Sequence, residues 1–243
     1  MAFSSIVFLF IFFTFANATP DLILTVVNNC PFTVWPAIQP NAGHPVLERG
    51  GFALNTLTHR SFPAPTTHWS GRIWARTQCT QANGHFNCET GDCGGCLECQ
   101  GSGGAAPATL AQFSLHHGLT DLSSYGVSLV DGFNVPMTVT PHEGNGQCPV
   151  VGCRSDLLAT CPNGLQLRTP HGNVVGCKSG CAAFGTDELC CRNHYNSPQT
   201  CRASSYSDFF KHACPDTFTY AHDNPSLIHE CSSPRELKVI FCH

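Results

Sequence analysis

A chain of 243 residues with 22 Gly, 17 Pro and only 12% charged side chains carries many turns and few solvated helical faces. That balance excludes a helical bundle and points to mostly β structure with long, tied-down loops. A formal net charge of −4 argues against nucleic acid as a partner, although protonation of the thirteen histidines in an acidic medium would turn the surface positive.

In chain order, the first feature is the apolar run Ile6 to Phe15, ending in Ala16-Asn17-Ala18, the small-x-small pattern that signal peptidase cuts after. The run is short for a bilayer span and no second one follows, so no transmembrane segment is expected. Residues 1–18 read as a secretory signal without the usual basic n-region, and 19–243 as the mature chain, secreted to the extracellular space. "DLILTVVNNCPFTVW" (21–35) is β-branched and apolar with a turn at Asn28-Asn29. "GRIWART" (71–77), "FNVPMTVT" (133–140) and "RELKVIFC" (235–242) are further strands. In the last, Leu237, Val239 and Phe241 alternate with Lys238 and Ile240, which buries one face. Helical signals are confined to "ATLAQFSL" (108–115), "RSDLLATC" (154–161), "TDELCC" (186–191) and "SYSDFFKHAC" (205–214), the last capped by Ser205.

Seventeen cysteines in a secreted chain imply a disulfide framework, because oxidising compartments form and keep such bonds, and the odd count leaves one thiol over. In "GDCGGCLECQ" (91–100), Cys93, Cys96 and Cys99 recur at three-residue intervals. An iron–sulfur run of ferredoxin type needs a fourth Cys followed by Pro, and residue 103 is Gly. Zinc needs a fourth ligand and thiols spared from oxidation. One disulfide with a leftover thiol is the favoured reading. Cys190 and Cys191 are adjacent and staple two different segments rather than each other. The histidines, His116-His117 included, show no ligand spacing, so neither a metal nor a cofactor is expected.

"GHFNCETGDCGGCLEC" (84–99), together with "NNCPFTVW", "RIWART", "SLVDGFNVPM", "ELCCR", "FFKHACPD" and "VIFC" in that order, resembles the thaumatin-like proteins, from about Leu22 to the C-terminus. The resemblance implies a mainly β, thaumatin-like fold: an eleven-strand β-sandwich (19–76, 108–154 and 215–243), a small stapled loop (77–107) and a helical, disulfide-rich lobe (155–214). It also implies eight disulfides, Cys30–Cys242, Cys79–Cys88, Cys93–Cys99, Cys148–Cys231, Cys153–Cys214, Cys161–Cys177, Cys181–Cys190 and Cys191–Cys201. Cys96 is then the free thiol, at a position where relatives place an aliphatic side chain, and is expected as a buried filler.

Such proteins are plant pathogenesis-related proteins, many antifungal, and several bind or slowly cleave β-1,3-glucan. The resemblance implies an acidic cleft between sandwich and lobe, lined by one Arg and four acids. Carried over, the Arg is Arg72, the acids fall on Gln112, Gly126, Asp131 and Asp216, and two of the four are lost. Asp121 lies near Gly126 in sequence and is a candidate substitute. Glycoside hydrolysis generally needs two carboxyls at a defined separation, and Gln112 and Gly126 supply none. The expected function is therefore a monomeric defence protein that engages wall β-1,3-glucan or the fungal surface through Arg72, Gln112, Asp131 and Asp216, without a need for turnover. The alternatives are a weak endo-β-1,3-glucanase using Asp131 and Asp216, or an inhibitor of a pathogen hydrolase. As an ordinary protein feature, Asp131 beside Gly132 shapes a turn, Asp216 caps a loop and Arg72 is a strand residue.

Overall fold

A computed structural model describes residues 21–82 and 84–243, so the proposed signal at 1–18 lies outside the described residues. Alternating apolar and polar side chains, bounded by Gly, Pro and Asn turns, generate two facing layers. The first is a five-stranded sheet in the order β3-β1-β14-β8-β9, made of β1 (Ile23–Asn28), β3 (Thr58–Pro63), β8 (Met137–His142), β9 (Val151–Cys153) and β14 (Glu236–Phe241). β1 and β14 run parallel and the other pairs are antiparallel. The second layer has β2 (Trp35–Pro40), β4 (Trp69–Ala82), β6 (Leu110–His117) and β7 (Leu122–Ser128) in antiparallel register. β12 (Thr217–Phe218) lies parallel to β7, and β13 (His229–Ser232) pairs with it antiparallel. β5 (His85–Thr90) pairs only with the far half of β4 as a hairpin arm. Without that arm the two layers hold the eleven strands the resemblance implies.

Between the layers, Leu24 and Val26 of β1 and Leu237, Val239 and Phe241 of β14 meet Ile38, Ile73, Ala111, Phe113, Leu115 and Val127, all buried. A fully buried side chain of this size contributes ~1.5–3 kcal/mol relative to exposure, so this core dominates the sandwich.

Two of the helical expectations fail. "ATLAQFSL" forms β6, because Ala111, Phe113 and Leu115 alternate with Gln112 and Ser114, and layer pairing overrides the helix propensity of Ala, Leu and Gln. "RSDLLATC" forms turns, since the Asp156 carboxylate accepts the Leu158 amide at 3.0 Å and both flanking cysteines are tied to other segments. The other two hold, as α2 (Asp187–Cys190) and α3 (Ser205–Ala213), preceded by a short α1 (Gly180–Phe184). The cap of α3 is Ser204, one residue earlier than expected, sharing reciprocal hydrogen bonds with Ser207. With the hairpin of β10 (Gln166–Arg168) and β11 (Val174–Cys177) these helices make the lobe.

The eight bridges join the same cysteine pairs that the resemblance implies. Cys30–Cys242 ties β1 to β14, Cys153–Cys214 ties β9 to the end of α3, and Cys161–Cys177, Cys181–Cys190 and Cys191–Cys201 lie within the lobe.

The stapled loop is held by polar groups as well as its two bridges. Arg76 of β4 is fully buried and donates to the carbonyls of Trp35 (3.0 Å), Cys96 (2.7 Å) and Leu97 (2.7 Å), with its guanidinium over the Phe86 ring. Burial lowers its pKa to about 10, against the opposing charges of Asp92 and Cys96. Asp92 in turn accepts the amides of Cys88, Gly94 and Gly95. This arrangement turns Cys96 outward: its thiol is free and exposed, which corrects the expectation of a buried filler. The backbone carbonyls of Cys96 and Leu97, not their side chains, are what the loop presents to the interior.

Candidate functional site: the cleft between sandwich and lobe

The outer face of the second layer is built by register. Gln39, Arg72, Gln112 and Gly126 lie side by side on β2, β4, β6 and β7. Strand alternation sends Ile73, Phe113 and Val127 into the core and leaves Arg72 half-buried and Gln112 exposed on the opposite face. The structure thus brings Arg72 and Gln112 together as neighbours.

Beyond the end of β7, the turn Leu129 to Gly132 presents Asp131 to the lobe, closed by the Gly132 amide on the Leu129 carbonyl at 2.9 Å. Gly132 has φ +91°, and a Cβ there would lie 2.5 Å from the Cys177 carbonyl oxygen, so only glycine fits. Asp131 therefore both shapes a turn and faces a cavity of about 350 Å³ lined by Val130, Arg192, Arg202, Ser204 and Tyr220 among others. Although the residue keeps an exposed surface, the protein packed around its carboxyl pushes its pKa up, and the Arg72 charge opposes that.

The other expected positions do not join this cavity. Gly126 lies in a small apolar hollow of about 120 Å³ with Gln112, Tyr125, Phe218 and Ile228. A Cβ on Gly126 would sit 3.2 Å from the Leu227 carbonyl oxygen and 3.3 Å from the Phe218 ring, so a carboxylate there would confront an aromatic side chain. Asp216 is exposed in a separate hollow of about 210 Å³ with Thr138, Val150, Arg154 and Ser155. Asp121 does not stand in for the missing acid: it bonds His116 Nδ1 at 2.6 Å and lines a third hollow with Glu143 and Arg235.

The structure also adds residues that sequence reasoning missed. Arg192 and Arg202 line the cavity, and each directly follows a cysteine of the Cys191–Cys201 bridge. The sequence signal was the repeated Cys-Arg pair, legible once those two cysteines were joined. Among the described residues lining this cavity Asp131 is the one acid, in company with two arginines.

Asp223 was missed as well. Its Oδ2 accepts Lys211 Nζ at 2.8 Å, the Thr219 amide at 2.9 Å and the Thr219 hydroxyl at 3.1 Å, while Oδ1 accepts the Asn224 amide at 2.8 Å. Burial pushes this carboxyl up, but the Lys211 ammonium and the two amides outweigh it and hold the pKa below the ordinary value. With its oxygens so occupied, Asp223 fixes the segment 219–224 that carries Tyr220 to the cavity wall. Burial, with Asp223 and Asp208 nearby, pushes the Tyr220 hydroxyl up, and Arg202 pulls the other way.

A two-layer β-sandwich and a cystine-rich lobe, with the cavity of Asp131 lined from both, define a cystine-stapled β-sandwich protein. The chain belongs to the thaumatin family, whose model, described as "Thaumatin family", matches residues 28–243. It is 75% identical over 229 residues to an osmotin-like protein of Solanum lycopersicum, covering 93% of this chain and 91% of that protein. It is 45% identical to pathogenesis-related protein 5 of Arabidopsis thaliana, covering 98% of both. A glucan endo-1,3-beta-glucosidase of Prunus avium is 42% identical, covering 88% of both. Among solved structures, the thaumatin-like xylanase inhibitor TLXI superposes with a TM-score of 0.52 at 25% identity, over 90% of this chain and 99% of that one.

Proposed function

We propose that this protein is a secreted plant-defence protein that engages glycan of the fungal wall or surface through its inter-lobe cleft and does not cleave it. The likeness to osmotin-like and pathogenesis-related proteins supports the defence role, and the eight disulfides accord with an oxidising, extracellular setting. The observation that carries the binding reading is the lone carboxylate of the cavity. Hydrolysis of a glycosidic bond generally takes an acid and a second carboxyl about 5–9.5 Å away. Here Asp131 feels the charge of Arg72, Gln112 and Asp216 line other hollows, and Asp223 is already engaged with Lys211. A weak β-1,3-glucanase is the second reading, favoured by the relative named as a glucosidase.

The two separate in one experiment on the mature protein. Retention on insoluble β-1,3-glucan with negligible release of reducing sugar from laminarin is expected. Substantial release that disappears in Asp131→Asn would establish the enzyme reading instead.

A further inference from the structure

Two arginines line the cleft without an ion-pair partner among the described residues. Arg49, Arg60 and Arg235 pair with Glu98, Glu48 and Glu143 on the surface. Arg192 and Arg202, both exposed, form no ion pair among the described residues, and both line the same cavity as Asp131 and Tyr220. Their placement is enforced covalently. Each is the residue after a cysteine of one bridge whose Cα atoms are 5.2 Å apart, so the two segments carrying them cannot separate.

We propose that this cleft takes a carboxylate-bearing saccharide, a uronic-acid unit, with Arg192 and Arg202 holding the carboxylate. The inference rests on the glycan-binding reading above and assigns the chemical class of the glycan. A carboxylate matches the planar fork of a guanidinium and forms charge-assisted hydrogen bonds that a neutral hydroxyl does not. A neutral glucan seated here would meet the two guanidinium groups with hydroxyl dipoles alone, a weaker pairing than a carboxylate offers. The remaining wall suits sugar hydroxyls. Ser179 and Ser204 each accept one amide, from Ala182 and Ser207, leaving their hydroxyl protons to donate. Asp131, with Arg72 close enough to act on its charge, accepts from a ring hydroxyl. Tyr220 offers an aromatic face beside the cavity.

The test is titration calorimetry of the whole mature protein at low ionic strength with trigalacturonate, its methyl ester, laminaritriose, inorganic phosphate and a glutamate-rich peptide. Trigalacturonate is expected to bind, with the ester and laminaritriose weaker by about tenfold or more, the scale of losing a charge-assisted pair. The double change Arg192→Gln, Arg202→Gln should weaken trigalacturonate by about tenfold or more. Arg235→Gln, remote from the cleft, should leave it unchanged. Asp131→Asn removes a like charge and should strengthen trigalacturonate binding, a gain that misfolding does not produce. Equal binding of acid and ester, undiminished binding by the double variant, or phosphate or peptide binding as tight as the uronate would overturn the inference. Laminaritriose binding without uronate binding would overturn it and leave the non-hydrolytic glycan reading standing. Failure of every saccharide together with failure on insoluble glucan would sink both.

Discussion

In the sandwich, the buried cluster runs from Leu22 to Phe241, and Cys30 and Cys231 are its only buried cysteines. In the lobe, four of the nine buried members of its cluster, Cys153, Cys161, Cys177 and Cys214, are cysteines, beside Leu129, Phe133, Leu157, Leu165 and Phe210. One region is thus held by stacked strand side chains and the other by cross-links around a few apolar groups. A core as small as that of the lobe is marginal by itself, whereas each bridge typically contributes ~2–4 kcal/mol, in part by restricting the unfolded chain. The bridges also align what the lobe presents. Arg192 and Arg202 face the cleft from a segment with little regular structure, where strand register has no say.

The sharpest way to break this comparison is reduction. With all bridges reduced under otherwise native conditions, amides of 155–214 should lose hydrogen-exchange protection wholly while those of β1, β8 and β14 retain a measurable part. Simultaneous loss across both regions would show that the sandwich also depends on its staples.

A smaller effect should follow from Arg76→Met, which tests a third means of support, the polar hub beneath the stapled loop. The methionine keeps an apolar stem but strands the carbonyls of Trp35, Cys96 and Leu97, and a cost of about 3 kcal/mol is expected from several unsatisfied acceptors. Chemical denaturation would measure it. A cost below that of an ordinary surface change would mean that Cys79–Cys88 and Cys93–Cys99 hold the loop unaided.

The least effect concerns the polar tie between the lobe helix α3 and the segment after β12. Asp223→Asn should cost about 1–3 kcal/mol, since Lys211 loses its charged partner while the amides keep an acceptor. Because the folded pKa of Asp223 lies below its ordinary value, the stabilisation is present above the unfolded carboxylate pKa of about 3.9 and fades as pH falls below it. The gap between wild type and Asp223→Asn should therefore narrow in thermal melts as pH falls below about 4. A gap independent of pH would remove ionisation of Asp223 from the account.

How much of this was legible differs between the two regions for the same reason. β1 and β14 announce themselves because each side chain reads out its own face, as in Leu237, Val239 and Phe241. β6 was misread because Ala111, Leu115 and Gln112 suit a helix in isolation, and only pairing with β4 and β7 decides. The cleft was half legible. Arg72 and Gln112 sit where the motif places them, being fixed by strand register. Asp216 does not share the cavity of Asp131, and Asp223, seven residues later, was overlooked because its role depends on Lys211 from another element. Arg192 and Arg202 become neighbours only through a bridge. Cys96 was misplaced because spacing says nothing of which way a thiol points once Arg76 has claimed the backbone carbonyl beneath it.

The parallel pairing of β1 with β14 carries a consequence for biosynthesis. β14 is the last strand in chain order, yet it occupies the middle of its sheet, between β1 and β8. A nascent chain can pair β1 with β3 and β8 with β9, but these two ribbons have nothing between them until β14 leaves the ribosome. At translation speeds of about 5–20 residues per second, the 212 residues separating Cys30 from Cys242 take roughly 10–40 s to make. For that interval β1 offers an open edge to any neighbouring chain, which is the period in which a chaperone has most to do and in which an incomplete chain is most prone to aggregate.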